Sequence, residues 1–106
     1  MSMNVYTIDV LPGAEYLPLG LVQGSCIQTK NLGADIGQSL KSLVGGELKS
    51  YSEMLEKSRD TAMQRMVAQA AAMGADAVVG VRIASSSVMQ NAAEVLCYGT
   101  AIRFKR

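Results

Sequence analysis

Hydrophobic and polar positions change period along the chain, and each change predicts an element. From Tyr16 to Thr29 the apolar residues Leu19, Leu21, Val22, Cys26 and Ile27 are dense, which predicts a strand. Gly20 and Gly24 lie inside it, as glycines do at a bulge, a bend or a close backbone approach, and Pro18 assigns that end to an edge or a strand start. Ahead of it, Val5 to Val10 mixes β-branched and polar residues, a short strand or arm before a Pro12-Gly13 turn. Ile36, Leu40, Leu43 and Val44 recur at one-face helical spacing, a short helix closed by Gly45-Gly46.

Ser50 with Glu53 has the spacing of a capping box, in which each side chain satisfies an orphaned backbone N–H at a helix start. The helix it opens runs to about Met73 and stops at Gly74, which can take the left-handed C-cap conformation. Tyr51, Leu55, Ala62, Met66 and Met73 form one stripe, and Glu53, Glu56, Lys57, Asp60 and Gln64 the opposite face. Beyond Ala62 the polar face fades, since Met63, Val67, Ala68, Ala70, Ala71 and Ala72 make that half apolar nearly all round. A surface helix keeps a polar face throughout. This pattern therefore predicts a helix covered by the sheet on one side and by another subunit on the other.

A valine-rich strand follows from Asp76 to Ile83 with Gly80 in its middle, then a connection at Ser85 to Asn91, then a final strand from Ala92 to Phe104. In that strand Glu94, Leu96, Tyr98, Thr100, Ile102 and Phe104 alternate with Val95, Cys97, Gly99, Ala101 and Arg103. The short connection makes the last two strands an antiparallel hairpin. The expected fold class is α+β, a two-layer domain over residues 1–106 with an antiparallel sheet and the long helix across one face.

Composition narrows the function classes. Ten Lys+Arg against nine Asp+Glu give a net charge of +1, which supplies no field for nucleic acid or anionic membranes. The only basic run is the tail, Arg103, Lys105 and Arg106. The chain has no histidine, so Ser-His-Asp and Cys-His nucleophile arrangements are impossible. At 49% hydrophobic and 18% charged it has little polar side chain to cover a small monomer, and self-association is the expected remedy. No run reaches the ~18 apolar residues of a membrane span. The first ten residues lack the leading basic group of a signal peptide, so a cytoplasmic setting with reduced thiols is expected.

The soft metal ligands are Cys26 and Cys97, one on each of two predicted strands. If those strands are neighbours in register, the two thiolates could hold a thiophilic ion such as Cu(I) or Zn. No Cys-x-x-Cys and no histidine completes a four-ligand site, and both residues could equally be buried small hydrophobes. Met63, Met66 and Met73 could add thioethers, although their helical spacing serves packing as well. Gly45-Gly46 before a capped helix is better read as a turn than as an anion site, because Ser50 and Glu53 occupy the free donors. Glu53, Glu56 and Asp60 read as a solvated helix face. Glu94 is the odder carboxylate, because it shares its alternation with Leu96, Tyr98 and Ile102; under the helix it would need the sheet edge or a cation such as Arg82 or Arg103.

Val44-Gly45-Gly46, Ser50-Tyr51, the run Met73-Gly74-Ala75-Asp76-Ala77-Val78-Val79-Gly80-Val81 and Tyr98-Gly99-Thr100-Ala101 together resemble the YbjQ-like family. These are small bacterial proteins often labelled "putative heavy-metal-binding". Tyr16 to Gly24 and Leu32-Gly33-Ala34 fit the family's earlier strand and helix approach, so the resemblance covers most of the chain from Tyr16. It implies a dodecin-like α+β subunit in a ring-shaped homopentamer, and it maps no metal ligand or catalytic group onto a numbered position. Three functions follow: a metal-ion or small-ligand binding assembly, a structural or partner-binding ring module, or an enzyme with a carboxylate site between subunits.

Overall fold

The computed structural model describes residues 3–29, 46–89 and 92–106. The element order is β1 (Asn4–Val5), β2 (Tyr16–Thr29), α1 (Gly46–Ala72), β3 (Ala77–Met89) and β4 (Ala92–Phe104). They form a sheet of order β1-β3-β4-β2 with α1 packed on one face, an α+β fold. β2 and β3 each pair antiparallel with β4. The short β1 adds to β3 in parallel, so the sheet is mixed.

The helix differs from its expected start. It begins at Gly46, which places Ser50 inside the helix rather than at an N-cap. Its end is as expected. Gly74 has φ +80°, its N–H bonds Ala71 O at 3.0 Å, and Ala75 N–H bonds Ala70 O at 3.0 Å. That pair of bonds is a Schellman cap, in which the left-handed residue lets the chain turn back on the last carbonyls. The expected short helix through Ile36 and Val44 lies outside the described residues.

β3 is longer than expected, because Ser85, Ser86 and Ser87 pair with Val95, Glu94 and Ala93. Serine runs resemble loops in isolation, and here the partner strand holds them extended. Gly80 and Val81 together oppose Gly99, and Gly80 has φ +63°, the geometry of a bulge whose first residue is glycine. On β2, Leu19 is the extra residue where the register shifts between Pro18 and Gly20.

The core follows from which alternation the helix covers. Val95, Cys97 and Ala101 from β4, Val22 and Cys26 from β2, and Val78 and Val81 from β3 meet Ala62, Met66 and Ala70 of α1. The buried helix stripe runs Ser58, Ala62, Met66, Ala70, at i, i+4 spacing. Met73, expected on that stripe, is 40% exposed. Ser58 is buried without penalty because its hydroxyl donates to Met54 O at 2.9 Å. On the other face a smaller cluster of Ala77, Val79 and Ile102 lies under Tyr6, Leu11 and Tyr16. Leu21 and Ile27 on that face are 67% and 61% exposed.

Candidate functional site

Cys26 and Cys97 lie on neighbouring strands, β2 and β4. In the β2–β4 register Cys97 stands opposite Gly24 and Cys26 opposite Val95, so the two thiols are diagonal neighbours on the helix-facing side. Both are free and buried. The Cys97 thiol donates to the Met66 Sδ at 3.6 Å, and neither residue has measurable exposure. The Cys26 Sγ accepts from Gln28 Nε2 at 3.4 Å. Desolvation pushes the Cys97 thiol above its ordinary pKa, so it is a neutral S–H in the folded protein.

The local sequence explains this placement. Gly24 carries no side chain, and a Cβ built there would run into Ala62 O and the Met66 backbone nitrogen. The helix therefore rests directly on the β2 backbone at Gly24, which carries the Met66 side chain across to Cys97 on β4. Of the helix methionines expected as possible thioether donors, Met66 places its sulfur against Cys97. Of the bulge, bend or close backbone approach expected for a glycine inside this strand, Gly24 is the close approach.

The donor set fits one class of metal. Among the described residues no three His, Cys, Asp or Glu side chains gather as a metal site, so these residues offer no ligand set for a closed structural zinc centre. Two thiols and a thioether suit a soft monovalent ion such as Cu(I), which accepts few ligands and prefers sulfur.

Glu94 is not under the helix. Its alternation faces away from α1, where Glu94 stands opposite Ile27 and Ser86, so the expected need for a compensating cation disappears. Arg82 is engaged elsewhere, donating to Thr7 O at 2.8 Å and Val81 O at 2.9 Å, with Asp9 at 3.8 Å. Glu53, Glu56, Lys57, Asp60 and Gln64 are all exposed, as a solvated face should be.

Asp76 has a structural role that the sequence pattern did not single out. Its carboxylate accepts from Phe104 N at 2.8 Å and Arg106 Nη2 at 2.9 Å, tying the start of β3 to the end of β4. The Phe104 N–H holds its pKa below the usual carboxylate range against the opposing effect of desolvation, and the Arg106 bond and the Arg106 and Arg103 charges add smaller lowering effects.

Beside the helix runs an open, mostly apolar groove of about 640 Å³, lined by Met3, Val5, Met63 and Val67 among others and also by Asp60, Gln64 and Asp76. The apolar second half of α1 is thus covered by the sheet on one side and forms this groove on another. Among the described residues no helix is long and apolar enough to cross a membrane.

The YbjQ family model, described as "Putative heavy-metal-binding", matches residues 3–105. A UPF0145 protein of Fervidobacterium nodosum is 51% identical over 105 residues, covering 98% of this chain and 97% of its own. A UPF0145 protein of Methanosarcina acetivorans is 53% identical over 102 residues, covering 95% and 96%. A crystal structure of a protein of unknown function from Pediococcus pentosaceus, assigned to the DUF74 family, superposes with a TM-score of 0.71. It covers 97% of this chain and 98% of its own at 18% identity, a likeness of fold. The chain belongs to the YbjQ family, whose members among these relatives carry the name UPF0145.

Proposed function

We propose that this chain binds a soft, thiophilic metal ion of the Cu(I) class through Cys97, Met66 and Cys26, as one subunit of a homo-oligomer. The observation that carries the reading is the Cys97 S–H donating to Met66 Sδ at 3.6 Å, with Cys26 diagonal to it on the same buried face. A bound soft ion would take the place of the thiol proton, pairing a thiolate with a monocation so that no net charge is buried. Cys97 would supply the anionic donor, Met66 a neutral one, and Cys26 a second thiol held by the Gln28 amide. The family's description supports the metal class, and a cytoplasmic setting would keep both thiols reduced.

The oligomer is supported by the open groove beside α1, and the family resemblance implies a ring of five subunits. That same groove favours a second reading, a structural or partner-binding ring without a metal. Native mass spectrometry of protein purified without chelator or affinity metal separates the two. A pentamer with extra mass that a chelator removes supports metal binding. A pentamer of apo mass that stays apo after Cu(I) is supplied supports the ring module. A monomer removes the assembly.

A further inference from the structure

The outer side of β2 is the long open edge of the sheet. β4 occupies its inner side, and among the described residues no strand lies beyond it. Such an edge presents unpaired N–H and C=O groups that another extended chain can pair with. Between Tyr16 and Thr29 there is no lysine, and the one proline, Pro18, sits near the start. Leu21 and Ile27 add exposed apolar side chains beside the edge.

The middle of this edge is occupied by the protein itself. Gln23 N–H donates to Gln69 Oε1 at 2.7 Å, and Ser25 O accepts from Arg65 Nη1 at 2.7 Å. In an antiparallel ladder the backbone groups of alternate residues point to opposite sides, so Leu21, Gln23, Ser25 and Ile27 form the outward set. Arg65 and Gln69 are one helical step of four residues apart, about 6 Å along the axis. Ser25 and Gln23 are two strand residues apart, about 6.8 Å. The two spacings match, and the helix runs against β2, so each side chain reaches one outward group. Gly24, between them, lets α1 lie close enough for the reach: a Cβ there would stand 2.8 Å from Arg65 Cβ.

We propose that Arg65 and Gln69 are edge-blocking residues, which occupy the central hydrogen-bonding groups of β2 and prevent the strand of a second copy of this chain from adding there. The surface that joins subunits then lies elsewhere than the middle of β2. The inference does not depend on metal binding and holds for any number of subunits.

Residue-resolved amide exchange on the native wild-type protein tests it directly. The Gln23 amide should exchange about tenfold more slowly than the outward amide of Ser25. Equal protection of Gln23, Ser25 and Ile27 would mean that a strand already occupies the edge, and would overturn the proposal. Fast exchange at Gln23 would overturn it too, because the Gln69 bond would not be held. As a second arm, Arg65→Ala with Gln69→Ala should sediment as species heavier than wild type that grow with concentration. Adding Leu21→Lys, a charge beside the edge, should restore the wild-type mass. A folded double variant of wild-type mass at every concentration contradicts the proposal, and if the variant fails to fold, the wild-type exchange pattern decides.

Discussion

Gly24 of β2 and Met66 of α1 are in backbone contact: the place where a glycine Cβ would stand is filled by the Met66 nitrogen and the Ala62 carbonyl. This one close approach sets the height of the helix above the sheet. It delivers Met66 to Cys97, and it brings Arg65 and Gln69 within reach of the strand edge.

Gly24→Ala should therefore be among the most damaging small substitutions in the chain. The added methyl meets backbone on the helix, which cannot rotate away, so α1 must lift. Overpacking of this kind costs about 3 kcal/mol. Urea denaturation of the variant beside wild type measures it, and a loss within error of zero would show that the helix does not rest on Gly24.

Asp76 should make stability depend on acid pH. Its folded pKa lies below the unfolded carboxyl value of about 3.9. The unfolded state therefore binds the proton first as pH falls, so the contribution is full above that value and lost as pH drops through the folded one. Asp76→Asn should be less stable than wild type at neutral pH, with the gap closing below about pH 4. Paired urea melts at stepped pH check this, and a gap that persists in acid would assign the effect to something other than the charge.

Cys97 should act at the other end of the scale. Burial holds its thiol neutral, so the unfolded thiol loses its proton first as pH rises. Wild-type stability should decline above about pH 8.5, and Cys97→Ala should lack that part of the decline. Thermal melts of both proteins across this range measure the difference.

Much of this architecture is legible in residue order, and the exceptions have physical causes. β2 and β4 end where the apolar runs end, and Gly74 stops the helix because only a left-handed residue makes that cap. Ser85 to Ser87 read as a connection because serine has little strand preference of its own; pairing with β4 makes them strand. Ser50 carries a cap signature inside a helix, since a local signal cannot register the turn that precedes it. The thiols Cys26 and Cys97 were visible as candidates, but their diagonal placement depends on the β2–β4 register, and the approach of the Met66 sulfur to Cys97 on a packing height set by Gly24. Arg65 and Gln69 carry no signal of their role in residue order, because the strand edge they reach is distant in sequence.

The soft-metal site proposed at Cys97, Met66 and Cys26 can be probed with Ag(I), a soft ion without redox chemistry in this setting. Native mass spectrometry of an Ag(I) titration should show one tightly held ion per wild-type chain, with one proton displaced. Cys26→Ser with Cys97→Ser, checked for folding by circular dichroism, should retain none. Equal uptake by wild type and the folded double variant, or no uptake by wild type, would contradict the account.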